Sequence, residues 1–378
     1  MSIAMKAFVT IGMMLVVALL VVAATAVVLG WYYAGLGWLL AFVLLLLLAA
    51  VLPVMTGSLR SKPNPARSYD DAIERFQQAT SHPEALISDR CVPQLMVHGS
   101  PTDKVFVLLH GLSNCPYSFH AFAPELHQAG HTVLIPRMPY NGHADNTTDA
   151  LRFTTARELA AFCDTCIDIA SGLGREVLVV GISGGGILAG WIAQNRPEVR
   201  RAVLVAPAFG LAEFGIWSNA FLLRLALLLP NMSIWKDPIL RARGPSRPHS
   251  YKRQSSHGTG EFLRLGLAVR RQARKERPAA GSIVMVTNAA DDSVDSHVTF
   301  ETAEIWERDG ADLLRYQFDK DANLPHEMID PTEPGAIPSL VYPTLTALAE
   351  TGHPPEMYLP PLATRPAASG PTRASSLT

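Results

Sequence analysis

The sequence predicts an α/β fold built on a mainly parallel sheet flanked by helices, preceded by a two-span transmembrane hairpin. Three observations carry this expectation. They are a charge-free N-terminal segment, an alternation of short apolar runs with longer helix-forming ones, and a serine in a glycine-rich turn between two such runs. The 378 residues leave room for one large domain with appendages, since domains run to about 50–250 residues.

Between Ala7 and Leu59 there is no Asp, Glu, Lys or Arg. Two apolar stretches lie there, at about 7–29 and about 36–55, and each reaches the roughly 20 helical residues that cross a bilayer core. Between them, Gly30-Trp31-Tyr32-Tyr33-Ala34-Gly35 is a glycine-bounded aromatic cluster suited to a turn at the membrane interface. The competing reading is a cleaved signal peptide, because Ala23-Ala24-Thr25-Ala26 resembles a cleavage site. The first stretch is too long for a usual signal core and a second span follows at once, which favours a hairpin over residues 1–60. Lys6 precedes the hairpin, and Arg60, Lys62 and Arg67 follow it. By the positive-inside tendency both flanks, and with them the globular domain, are expected in the cytoplasm.

Residues 61–65 read as a polar linker, 61–89 as that linker with a lead-in helix, and 90–351 as the globular domain. Strands are expected at about 94–97, 105–110, 132–136, 176–181, 202–206, 283–287 and 313–318, with helices at about 116–129, 156–171 and 184–195. The strand runs are almost wholly apolar, as they are when helices cover both faces of a parallel sheet. The interval from Pro207 to Ser282 is far longer than a crossover needs. An inserted helical lid is expected at about 208–280, opening with the apolar run 209–229. Within 241–277 eleven residues are Lys or Arg and two are Glu. That basic stretch reads either as a solvated surface or as a dock for anionic lipid, at about 1 kcal/mol per basic residue near the surface. The tail 352–378, rich in Pro, Ala, Ser and Thr, is expected to be disordered. A net charge of −1 with 17% charged residues gives no reason to expect nucleic acid as a partner.

The sharpest motif is Gly181-Ile182-Ser183-Gly184-Gly185, after an apolar strand and before a helix-forming run. A serine on a tight strand-to-helix turn projects its hydroxyl above the sheet edge, where it can act as a nucleophile. A second buried strand runs into His110-Gly111-Leu112. Acyl transfer needs two backbone N–H donors for the developing oxyanion, and Gly184 and Leu112 are placed to supply them. His110 reads as a structural loop histidine. The orienting acid and the base should then follow in chain order. Asp291-Asp292 stands after the strand near 283–287, and His326 after the strand near 313–318, each at a strand's C-terminal end.

With these pieces in place the chain resembles the α/β-hydrolase superfamily, in its carboxylesterase, monoacylglycerol-lipase and lysophospholipase-like branch. The resemblance rests on VLLHGLSNCP at 107–116, TVLIPRMPYNGH at 132–143, GISGG at 181–185, DDSV at 291–294 and LPHEMIDP at 324–331. It implies an α/β-hydrolase fold over about residues 90–350 and a triad of Ser183, Asp291 and His326. The acid in that branch reads Asp-x-x-Val/Ile, which fits Asp291 with Val294 and leaves Asp292 as the alternative. Relatives commonly read Pro-Gly-His-Gly where this chain has Tyr140-Asn141-Gly142-His143, a departure that bears on substrate shape. They also tend to carry cysteines at the places of Cys91 and Cys115, so the resemblance allows a disulfide there. Such a bond fits an oxidising compartment and opposes the cytoplasmic expectation. Weighting the flanking charges more heavily, the pair is expected close in space but reduced. Cys163 and Cys166 lie inside a helical run and read as packing residues.

The expected function is a membrane-anchored serine ester hydrolase acting on small-molecule or lipid esters, with membrane lipid as a partner. No cofactor is needed, and the scattered histidines suggest no metal site. The rival readings are a serine peptidase or amidase on the same triad, and a catalytically silent membrane scaffold.

Overall fold

A computed structural model describes residues 21–29, 59–81, 86–210, 223–224, 226–236, 249–294 and 296–355. Of the expected hairpin, residues 1–60, only 21–29, as helix, and 59–60 are described. The remainder of it, most of the apolar run 209–229 and the tail beyond 355 lie outside the described residues. Among the described residues no helix is long and apolar enough to cross a membrane.

The strands are β1 (Gln94–Met96), β2 (Thr102–Leu109), β3 (Thr132–Ile135), β4 (Gly174–Ile182), β5 (Val199–Val205), β6 (Ser233–Trp235), β7 (Arg253–Ser255), β8 (Ser282–Asn288) and β9 (Leu313–Phe318). Seven of these pair in the order β1-β3-β2-β4-β5-β8-β9, while β6 and β7 form a separate antiparallel pair. Only β1 runs antiparallel in the main sheet. Beyond residues 21–29, the helices named among the described residues are α1 (Tyr69–Thr80), α2 (Phe122–Gln128), α3 (Ala156–Leu173), α4 (Gly184–Asn195), α5 (Ser256–Ala273), α6 (Ser296–Arg308) and α7 (Pro338–Thr351).

The unbroken apolar strands have two cores to fill. Along β2, Val105, Val107 and Leu109 enter one core, and Phe106 and Leu108 enter the other, because successive side chains point to opposite faces. Helices α3, α4, α5 and α6 cover the first face; α2 and α7 cover the second. Every expected strand is present. β2 and β4 begin earlier than their apolar runs, since Thr102–Lys104 and Gly174–Glu176 keep the ladder going at the solvated end.

Three expectations need correction. The helix expected over 116–129 is a 3-10 turn, Pro116–Phe119, followed by α2. The break lets Phe119 and Phe122 both bury completely. Secondly, the lid interval does not run to 280 as an insertion. Its last part is α5, whose Phe262, Leu265 and Val269 join the core beneath α3 and α4. Thirdly, the stretch 61–65 expected as a polar linker is tied to the domain, as are Leu59 and Arg60 before it. Trp191 Nε1 donates to the Leu59 carbonyl at 2.6 Å, and Arg60 pairs with Glu276. Asp164 accepts from Ser61 Oγ and, at 2.8 Å, from the Lys62 amide; Asp168 accepts from the Asn64 amide at 3.0 Å. Both aspartates also hold the fully buried Arg196, at 2.9 and 2.6 Å. These partners lie about a hundred residues away in the chain, so a local reading has no pattern to find.

In the sheet, β3 lies on one side of β2 and β4 on the other. The winding direction therefore reverses there, and a crevice opens at the C-terminal ends of β2 and β4.

Candidate active site

Ser183 stands in that crevice, between the end of β4 and the start of α4, with φ 58° and ψ −116°. For a residue with a Cβ this backbone costs about 1–3 kcal/mol and persists only where the surroundings enforce it. The Ser183 amide donates to the Val205 carbonyl at 2.9 Å, and its carbonyl accepts from the Gly186 and Ala208 amides at 3.0 and 3.1 Å. Gly185 is required because a Cβ there would collide with the Leu109 carbonyl oxygen.

His326 lies in the loop after β9, and its Nε2 accepts from Ser183 Oγ at 2.8 Å. Its Nδ1 donates to Asp291 Oδ2 at 2.7 Å. Asp291, in the loop after β8, has a side chain only 1% exposed, and its Oδ1 accepts from the Ser293 amide at 2.8 Å. Of the two adjacent aspartates it is Asp291 that meets the histidine; Asp292 is exposed. Burial disfavours the imidazolium of His326, but the charge and hydrogen bond of Asp291, with Glu327 and Asp292 adding to them, push it up to about 9. Burial likewise pushes the Asp291 carboxyl up, and the His326 contact outweighs that and holds it below the usual carboxylate range.

Asn288, which ends β8, joins the two loops. Its Nδ2 donates to the Leu324 carbonyl at 2.8 Å, while its Oδ1 accepts from the Ala290 amide at 3.0 Å. Sequence reasoning passed over this residue, although an amide closing an otherwise apolar, buried strand was a signal.

Across the crevice, a Cβ on Gly184 would lie 2.9 Å from the Leu112 nitrogen, so these two peptides are neighbours. The loop that carries Leu112 is fixed from several sides. His110 Nε2 accepts from the Met138 amide at 3.2 Å and its Nδ1 donates to the Gly111 carbonyl at 2.9 Å. Burial lowers His110 to about 4, so it stays neutral with both nitrogens engaged, a structural histidine as expected. Asn141 Nδ2 donates to the carbonyls of Leu112 and Asn114 at 2.7 and 2.8 Å. Cys91 and Cys115, expected reduced, are instead joined in a disulfide with Cα atoms 5.3 Å apart. Gly142 takes φ +79° against this bond, where a Cβ would come within 2.6 Å of Cys91 Cβ. Cys163 and Cys166 are free and buried within α3, and burial raises the Cys163 thiol.

The interval after β5 clasps the same loops. The Tyr251 amide donates to the Ser113 carbonyl at 2.8 Å, and its hydroxyl donates to the Tyr140 carbonyl at 2.8 Å. Lys236 Nζ donates to Ser113 Oγ. His249 Nε2 donates to Asp330 Oδ2 at 2.6 Å, with both side chains withdrawn from solvent.

A serine polarised by a histidine, an acid fixing that histidine's tautomer, and two adjacent peptide N–H groups form an arrangement suited to acyl transfer. In agreement, residues 106–368 match the model of the alpha/beta hydrolase family, and the chain belongs to that family. A thermostable monoacylglycerol lipase from Bacillus sp. (strain H-257) is 29% identical over 99 residues, which are 25% of this chain and 36% of that enzyme. The chain thus spans about a third of the length of this relative. A monoacylglycerol lipase structure from Paleococcus ferrophilus superposes with TM-score 0.49 at 18% identity, over 64% of this chain and 93% of that one. A soluble variant of monoglyceride lipase from Saccharomyces cerevisiae superposes with TM-score 0.43 at 15% identity, over 60% and 80%.

Proposed function

We propose that this chain is a membrane-anchored serine ester hydrolase that cleaves acyl esters, lipid esters among them, through an acyl-enzyme. The observation that carries this reading is the continuous Ser183–His326–Asp291 hydrogen-bond relay beside the Leu112 and Gly184 amides. Ser183 Oγ attacks the ester carbonyl as His326 Nε2 takes its proton. The Leu112 and Gly184 N–H groups hold the oxyanion, each worth about 10²–10³ in kcat. His326 then returns the proton to the leaving alcohol, and water repeats the sequence on the acyl-enzyme. The Bacillus relative, named a monoacylglycerol lipase, supports an acyl ester as substrate.

The anchor is the charge-free segment. Within its described helix, Val21, Val22, Val28 and Leu29 are 57%, 62%, 65% and 53% exposed, an aliphatic surface suited to lipid. The basic residues of 241–277 supply a further attraction to anionic lipid. On the side of the membrane two observations oppose each other. The basic flank favours the cytoplasm, whereas a Cys91–Cys115 bond persists on an oxidising side. Arg60 pairs with Glu276, so this flank has work to do in the fold, and the disulfide weighs more. The domain is therefore assigned to the oxidising side, reversing the expectation from charge alone.

A fluorophosphonate probe should label Ser183 and no other residue. Ser183→Ala should lose labelling and short-chain ester turnover while keeping the wild-type circular dichroism. Turnover well above the roughly 10³–10⁴-fold over water that oxyanion binding alone sustains would overturn the reading.

A further inference from the structure

The loop bearing His326 brings a second acidic group to the crevice. Glu327 follows the histidine and is half-buried. Its carboxylate occupies the space that a side chain on Gly111 would fill, since a Cβ there would lie 2.5 Å from Glu327 Oε1. Gly111 immediately precedes Leu112, so the carboxylate rests against the peptide that bears one oxyanion donor. Among the described residues none gives it a hydrogen bond or an ion pair. Asp291 and Asp330 each have such partners. Lys236, which reaches the same loop, donates to the hydroxyls of Ser113 and Ser250.

The Glu327 oxygens keep contact with solvent. Beside an oxyanion hole the carboxylate opposes the negative charge that acyl transfer develops. That penalty falls if the substrate itself brings a positive group. The proton path fixes which part of the substrate that is. His326 Nε2 must reach the leaving oxygen, so the leaving alcohol lies beside His326 and within range of the residue that follows it.

We propose that Glu327 determines specificity by receiving a cationic group on the leaving alcohol, so that preferred substrates are esters of ammonium-bearing alcohols. The inference rests on the ester-hydrolase reading above. The same carboxylate disfavours alcohols that carry a negative charge. A glutamate next to the base strengthens that base as well, in keeping with its share in raising His326.

The test uses the full chain and three esters of one acyl chain. One has choline as the alcohol, one its uncharged isostere 3,3-dimethylbutanol, and one a hydroxyalkyl carboxylate. Wild-type kcat/KM should fall in that order, with about fivefold between the isosteric pair, the upper scale of a partly solvated ion pair. Glu327→Gln keeps the shape and removes the charge, and should collapse the choline preference, while Glu327→Asp should restore part of it. Equal kcat/KM for the isosteric pair, or a ratio unchanged in Glu327→Gln, overturns the proposal even though esters are cleaved. If no ester is cleaved, it is the hydrolase reading that fails, and the cation site is read by thermal shift. A rise with choline that 3,3-dimethylbutanol does not give and Glu327→Gln abolishes supports the site; no such rise overturns it.

Discussion

Asp291 and Asp292 carry the same charge one residue apart, and their directions separate them. Asp291 is turned inward onto His326 Nδ1 and the Ser293 amide, whereas Asp292 is exposed. Asp291→Asn should therefore lower kcat by about 10⁴-fold, because the histidine would then favour the wrong tautomer. Asp292→Asn should cost far less; a reversed order in steady-state kinetics would reassign the acid. Proton affinity makes a second prediction. The base acts only when neutral, and His326 is pushed up to about 9. Its kcat/KM should keep rising through neutral pH to a limb displaced alkaline from a free imidazole, checked with a non-ionising ester. Ser183, His326 and Asp291 were readable as candidates because each follows a strand-length run and their order is constrained, and because the resemblance implied an acid three residues before Val294. Asn141 was not legible, and for Asn288 only its place at the end of an apolar run was, since each acts through carbonyls contributed by another segment.

Among the elements, those of the sheet were the easiest to read and those that cross over it the hardest. Apolar runs of strand length specify β2, β4, β5 and β8 almost alone. By contrast α5 hides its core face within a basic stretch, because Arg264 stands between Phe262 and Leu265, and Arg270 and Arg271 follow Val269 directly. The clasp between His249 and Asp330 left no sequence signal either. It ties the segment before β7 to the loop of His326, and it is sensitive to pH. Burial pushes the Asp330 carboxyl up, but hydrogen bonds from His249 and Thr332 outweigh that and hold it below the usual carboxylate range. A carboxyl lowered in the folded state adds stability above its unfolded value and loses it as pH falls through the folded one. Asp330→Asn should accordingly destabilise the protein at pH 7 by about 2 kcal/mol. The gap from wild type in thermal denaturation should narrow as the pH is lowered towards the acid range; a gap that widens would exclude this carboxylate as the source.

At the scale of the molecule, packing against the globular core begins as early as Leu59. Leu59 is 7% exposed within the core and its carbonyl holds Trp191. A chain beginning at residue 59 should be soluble and active on a water-soluble ester, and weaker on the same ester embedded in vesicles. One beginning at residue 69 loses Leu59, the Arg60–Glu276 pair and the amides capped by Asp164 and Asp168. It should lose about 3–5 kcal/mol in denaturant titration. Equal stability of the two fragments would show that residues 59–68 are dispensable. The redox state of Cys91 and Cys115 tests the compartment proposed above. Labelling of intact cells with an impermeant thiol reagent should reach Cys91 and Cys115 only after an external reductant is added. Labelling that requires permeabilisation and no reductant would return the domain to the cytoplasm.

The clasp at residues 59–66 also sets how the enzyme can search. A flexible tether would let the domain swing and sample every orientation within its reach. Residues 59–66 supply no such slack, because Leu59 is already core. The chain leaves beside Trp191, eight residues beyond Ser183, or about 12 Å of helix rise. If the charge-free segment is the anchor proposed above, residues 59–66 add nothing to the reach of the domain, and inserting a few glycines there would alter turnover of vesicle-borne esters before it altered that of a soluble ester at Ser183.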